Sequence, residues 1–196
     1  MNKLHLTLAL AATVVAVGVL APLRPARAED FAALLAKGKW IWYDEGDPAT
    51  DAPAETRYFL RTIKIDADRD IKNAVFLLTC DNGFELFVNG AKICDAHDWN
   101  TAVAADIKAK LVKGDNVIAV AGTNDDGPAG LIGAIKVDYS AGDPLTVGTD
   151  DKWMVANKKI DGWEKPGFTC KPDDWKKAKV MGDYGMDPWG TNVALP

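Results

Sequence analysis

The 196-residue sequence predicts an all-β protein, a β-sandwich or jelly roll, on three observations. Short runs rich in β-branched and aromatic residues alternate with period two, turn signals separate them at short intervals, and no long stretch carries helical periodicity. Many short strands joined by frequent turns pack as sandwiches or barrels. Apolar residues, at 48%, are enough for a sizeable core, and 26% charged residues exclude a wholly disordered chain.

Residues 1–28 read as a secretory signal peptide. Lys3 supplies the positive start, Leu4 to Leu20 is mostly Leu, Ala and Val, and Ala26-Arg27-Ala28 has the small-x-small form that signal peptidase accepts. The competing reading is a retained membrane anchor, whose apolar run would sit at the lower limit for spanning a bilayer. The mature chain is therefore expected to be periplasmic or secreted, with no membrane attachment after cleavage. Loss of Lys3, Arg24 and Arg27 takes the formal charge from -5 to -8. That charge argues against a nucleic-acid partner.

Residues 29–39 form a short helix or linker, with Asp30 as its cap and Gly38 as its terminator. Residues 40–196 are expected to make one sandwich domain. Trp40 to Tyr43 suits a strand. Tyr58 to Ile65 alternates, with Phe59, Ile63 and Ile65 on one face. Val75 to Cys80 is continuously apolar, so both of its faces are covered. Phe84 to Val88 alternates again, Val117 to Ala121 is a second buried run, and Leu131 to Tyr139 alternates cleanly. Asn82-Gly83 and Asn89-Gly90 each signal a two-residue hairpin. They predict a three-strand meander over 75–81, 84–88 and 91–94, with Glu85 opposite both Cys80 and Cys94. Thr149 to Val155 reads as a further strand. The tail from 156 to 196 has little periodicity but carries Trp163, Trp175 and Trp189, and is expected to pack onto the same sandwich.

Cys80, Cys94 and Cys170 allow one disulfide in an exported protein or three buried thiols. The predicted meander puts Cys80 and Cys94 too far apart to bridge, so a bond would use Cys170.

The chemistry available is limited. The chain has one serine, Ser140, no glutamine, and only His5 and His97 as histidines. It lacks G-x-S-x-G, H-E-x-x-H, a Walker loop and C-x-x-C. Asp66 to Asp70 mimics the start of an EF-hand loop, but Ile71 and Leu77 stand where Gly and Glu are needed. Cys94-x-x-His97 is at most half of a metal site. No cofactor is expected. The acid-rich chain is compatible with a structural calcium ion, but no ligand set is visible.

From Asp81-Asn-Gly-Phe-Glu-Leu-Phe-Val-Asn-Gly90 onward the sequence resembles a known group. It is similar to the sugar-binding-type jelly-roll module of glycoside hydrolases of the β-galactosidase/β-glucuronidase class, and to the N-terminal module of bacterial α-L-rhamnosidases. The similarity continues through the Trp loop Asp95-Ala-His-Asp-Trp99 and the block Asp106-Ile107, Leu111, Gly114 and Asn116 to Val120. Trp40-Ile-Trp42 and Thr56 to Arg61 fit the rhamnosidase modules in particular. Cys170 departs from the pattern, and the chain is expected to stand without the catalytic barrel that accompanies such modules. The resemblance implies a galactose-binding-domain-like fold and does not imply a catalytic site, because in those enzymes the chemistry lies in another domain.

Two loops carry the candidate ligand-binding residues. In the first, Trp99 can stack on sugar C–H surfaces while His97, Asp98 and Asn100 read hydroxyls. The bland alternative has Trp99 plugging the end of the sandwich and Asp98 capping a turn. In the second, Asn124, Asp125 and Asp126 either bind a hydroxyl or cation or form a plain turn. The resulting expectation is an exported, non-catalytic carbohydrate-binding module, not an enzyme, whose partner is a carbohydrate. The alternatives are a structural sandwich docking on a cell-surface or periplasmic protein and, last, a small glycoside hydrolase.

Overall fold

In a computed structural model describing residues 26–196, the alternating segments become twelve strands in two antiparallel sheets. The leader predicted over 1–28 falls outside the described residues except at 26–28, where helix α1 (Ala26–Leu35) begins. Asp30 therefore sits inside that helix instead of capping it. Gly38 comes after the helix has ended at Leu35, and its role is close approach: a Cβ there would lie 2.3 Å from the Gly133 carbonyl oxygen.

The first sheet runs β12 (Lys179–Asp183), β1 (Lys39–Trp42), β8 (Gly130–Tyr139), β3 (Ile71–Asp81) and β6 (Val103–Asp106), with β9 (Leu145–Gly148) also paired to β8. The second runs β11 (Lys176–Lys177), β10 (Met154–Ala156), β2 (Thr56–Ile65), β7 (Gly114–Thr123), β4 (Gly83–Val88) and β5 (Ala91–Ala96).

Alternation decides which side chains meet. Phe59, Ile63 and Ile65 from β2, Phe76 and Leu78 from β3, Ile118 and Val120 from β7, and Leu131, Ile135 and Val137 from β8 fill the space between the sheets. The continuously apolar strands also bury their other face. Leu77 and Ile132 lie under Leu34, Leu35, Trp189 and Val193 on the outside of the first sheet. Val117, Ala119 and Ala121 lie under Trp163 and Trp175 on the outside of the second. The aperiodic tail thus covers the outside of the second sheet and shares the outside of the first with α1, and Trp189 stacks on Trp40 with centroids 4.0 Å apart.

The predicted meander is half right. Asn89-Gly90 makes the β4–β5 hairpin with φ of 51° and 84°, the pair of positive values such a turn needs. Asn82-Gly83 makes no hairpin. β3 stays in the first sheet, paired with β8 and β6, while β4 starts in the second beside β7. Glu85 therefore faces Asp95 and Ala121 as strand neighbours, neither Cys80 nor Cys94; Cys94 lies opposite Leu86. Residues 149–153 form a turn, with Asp150 Oδ1 accepting from the Lys152 N–H at 2.9 Å, and only 154–156 is strand.

Of the two cysteine readings left open by the sequence, the structure has the one without a bond: all three cysteines are free thiols, one buried and two half-buried. Cys80 and Cys94 belong to opposite sheets and face the shared core, whereas Cys170 packs on the outside of the second sheet, with that sheet between it and them. Burial raises all three thiol pKa values, Cys80 furthest, with the Asp81 charge adding to the effect, so none is an activated nucleophile.

Candidate functional site

The crossover from β3 to β4 ends at one rim of the sandwich, and three further segments converge on it. Asn82 ties the crossover to the loop after β7: its N–H donates to the Thr123 carbonyl at 2.7 Å, and its Oδ1 accepts from the Asp125 N–H at 2.7 Å. The chain leaving β5 brings His97 to the same loop, where Nε2 lies 2.8 Å from Asp125 Oδ2. Gly83 makes room for this contact, since a Cβ there would fall 2.5 Å from His97 Nδ1. His97 and Asp125 remain 65% and 52% exposed, so the pair is open to a ligand.

Asn124 is buried beneath them. Its Nδ2 donates to the carbonyls of Ala52 at 3.0 Å and Pro53 at 3.2 Å, and its N–H donates to the Glu55 carbonyl at 3.1 Å. Its Oδ1 is buried with no hydrogen-bond partner. A buried acceptor left unpaired is costly.

Asp81, the last residue of β3, is 6% exposed and accepts from Trp189 Nε1 at 2.8 Å. Burial raises its pKa; the Trp189 N–H opposes this, and the charges of Asp126 and Asp125 add to the rise. The folded protein thus holds this proton more tightly than the unfolded chain, whose carboxyl keeps the ordinary value near 3.8. The stabilisation is complete below that value and is lost as pH climbs through the raised one. Asp81→Asn removes the titration, so its stability relative to the parent should rise between about pH 4 and about pH 7. Urea midpoints at the two pH values check this; a difference independent of pH would contradict it.

The predicted residues therefore divide into two groups. His97, Asn124, Asp125 and Asp126 gather at one rim, over Asp81 and Asn82, which the sequence reading did not single out. Asp98, Trp99 and Asn100 form a turn that docks elsewhere. Asp98 accepts from the Asn100 N–H at 3.0 Å and from Thr101 Oγ1 at 2.8 Å, bonds that lower its pKa, Thr101 first. Trp99 is half-buried against the second cluster, and its carbonyl accepts from Thr79 Oγ1. The Asn100 carbonyl accepts from the Ala194 N–H at 2.6 Å. Asp81 and Asn82 were missed because Asp-Asn-Gly reads as an ordinary turn. The available clue was a carboxylate ending an otherwise apolar run. No group of three or more His, Cys, Asp or Glu with metal-holding geometry occurs among the described residues.

No family model matches the sequence. The α-L-rhamnosidase of Streptomyces avermitilis is 34% identical over 161 residues, covering 77% of this chain and 15% of the enzyme. The crystal structure of that rhamnosidase complexed with L-rhamnose matches with a TM-score of 0.74 at 32% identity, over 82% of this chain and 16% of the enzyme. A lectin from Pleurotus ostreatus, solved in complex with GalNAc, matches with a TM-score of 0.74 at 31% identity, over 83% of this chain and 47% of the lectin. The chain thus spans less than a fifth of the rhamnosidase and about half of the lectin. It is a homologue of an α-L-rhamnosidase module and has the jelly-roll fold of a galactose-binding-like lectin domain.

Proposed function

We propose that this homologue of a rhamnosidase module is an exported, non-catalytic carbohydrate-binding protein that holds one sugar residue at the rim built by 81–83, His97 and 124–126. The observation that carries the reading is the contact of His97 with Asp125. It joins two loops 28 residues apart and sets exposed acceptors above the buried Asn124 and Asp81. Sugar hydroxyls are donors, and carboxylate and carboxamide oxygens are the groups that fix them. Near-equal identity to a lectin and to a small share of an enzyme supports binding over turnover. The leader-like residues 1–28 support export.

L-rhamnose and GalNAc, the sugars in the two matching crystal structures, are the first ligands to test. Calcium enters the same experiment. The orphaned Asn124 Oδ1, the Asp81 carboxylate and the Asn82 amide are hard oxygen donors of the kind that ion takes. Calorimetric titration of L-rhamnose is expected to give saturable binding that Asp125→Ala and His97→Ala each weaken about tenfold, roughly 1.4 kcal/mol. A loss of binding in chelator would show that binding needs a divalent ion. A blank from folded protein with both sugars, with and without calcium, would sink the reading and favour a protein partner.

A further inference from the structure

The rim and the outer face of the second sheet adjoin. Side chains two apart on a strand share a face, so Gly83, Glu85 and Phe87 of β4 lie on one side. Their register partners on β7 are Thr123, Ala121 and Ala119, and the partners of those on β2 are Thr56, Tyr58 and Leu60. The row of Phe87, Ala119 and Leu60 packs with Trp163 and Trp175. The row of Gly83, Thr123 and Thr56 opens on the rim. A Cβ on Gly83 would lie 2.5 Å from His97 Nδ1, so the His97 ring occupies this same face. Between that ring and the Trp cover a hollow of about 170 Å³ remains, lined by Thr56, Tyr58, Glu85, Ala121, Thr123 and Lys159 among others.

The lining suits a small polyol. Tyr58, half-buried, meets Trp163 edge-on with centroids 5.2 Å apart, which fixes its ring beside the small side chain of Ala121. A fixed aromatic next to a hollow suits the C–H face of a pyranose. The Thr56 and Thr123 hydroxyls are 3.2 Å apart; one donates to the other, and the pair keeps a proton and lone pairs for a ligand. Glu85 Oε1 accepts from Lys92 Nζ at 2.6 Å, which uses one of the acceptor sites of its carboxylate, and Lys159 adds donors. The charges are mixed. Lys92 also pairs with Asp95, so the group around Glu85 is net negative, and Lys159 carries the opposite sign. Sugar hydroxyls donate and accept, so they use both kinds of partner, whereas an ion of either sign meets a like charge.

We propose that this hollow is a second sugar subsite, holding the neutral pyranose linked to the sugar residue at the rim. The inference rests on the rim reading and extends it from one sugar to a disaccharide. Thr123 ends β7 and leads directly into the 124–126 loop, and Ala121 lies two residues back, about 7 Å along the strand. The next ring of a glycan held beside His97 and Asp125 therefore reaches the hollow. An extended peptide is the competing occupant, because β10 covers the edge of β2 only at 58–60 and leaves 56–57 unpaired among the described residues. Two residues make too short a main-chain ladder to hold an added strand.

The test is calorimetry with amide-resolved NMR, using L-rhamnose, three neutral disaccharides that carry L-rhamnose on O2, O4 or O6 of D-glucose, and tetraalanine. At least one disaccharide should bind about tenfold more tightly than L-rhamnose and shift the Tyr58, Glu85 and Ala121 amides. Tyr58→Leu keeps an apolar side chain against Trp163, and Lys159→Gln changes only an exposed position. Each should cut that gain about threefold while the affinity for L-rhamnose stays as in the parent. Equal affinity for L-rhamnose and all three disaccharides, no shift at the three amides, or a gain untouched by both variants would overturn the proposal and leave the rim reading standing. Saturable shifts of the same amides with tetraalanine would give the groove to a peptide and overturn it too. A blank with L-rhamnose overturns the rim reading instead, and the groove then stands or falls on its own three amides with the disaccharides.

Discussion

Trp189→Ala is expected to lower the unfolding free energy by about 3–5 kcal/mol, with an unchanged denaturant slope. The indole is fully buried, stacks on Trp40, and donates to the buried Asp81 carboxylate, so its loss opens a cavity and orphans an acceptor together. Domains of this size have about 5–15 kcal/mol in total, so the variant should be close to unfolding at moderate temperature. Trp189→Phe separates the two contributions. It keeps most of the ring but loses the N–H, which should cost about 1–3 kcal/mol. That cost should be larger at neutral than at acid pH, because the donor matters most when Asp81 is ionised. A loss below about 1 kcal/mol for Trp189→Ala, by urea denaturation, would mean that the tail does not belong to the cooperative unit.

Arg57→Met is the second large effect. Arg57 is 2% exposed, and its guanidinium donates twice to Glu45, at 2.9 and 2.5 Å, and once to Glu55 at 2.7 Å. Burial works against its charge, but the bonds and fields of the two carboxylates outweigh it and raise its pKa. Removing one partner of a buried pair leaves the other charge uncompensated, at about 3–5 kcal/mol. Glu45, 16% exposed, is the partner that suffers; Glu55, 63% exposed, is not. Glu55→Ala should therefore stay within about 1 kcal/mol of the parent. Adding Glu45→Gln to Arg57→Met should recover part of the loss, because Trp42 Nε1 still has an oxygen to donate to. Equal costs for the Glu45 and Glu55 variants would contradict this assignment. The pair also matters to the rim. It anchors the 43–55 loop, whose Ala52 and Pro53 carbonyls hold Asn124.

How much the sequence reveals depends on how local the deciding physics is. β2 and β8 are legible because alternation alone selects their faces, and Asn89-Gly90 because a hairpin needs only two residues with positive φ. Asn82-Gly83 carries the same local signal yet crosses between sheets. The ten-residue pairing of β3 with β8 competes with the turn, and no dipeptide reports it. Short strands such as β6 and β12 are equally silent, as they gain their order from neighbours far along the chain. The candidate loops were legible as polar turns beside strands. Their grouping was not, because the His97–Asp125 contact and the Asp81–Trp189 bond span 28 and 108 residues. Trp99 shows the converse, since a Trp among polar residues looks like a sugar platform while its ring packs against the second cluster.

The central claim is that sugar binds at the rim, and amide-resolved NMR during an L-rhamnose titration tests it most directly. Saturable shifts confined to 81–83, 97–98 and 124–127 are expected, lost in Asp125→Ala while the rest of the spectrum stays folded. Saturable shifts centred elsewhere, or none from a well-folded protein with and without calcium, would contradict it.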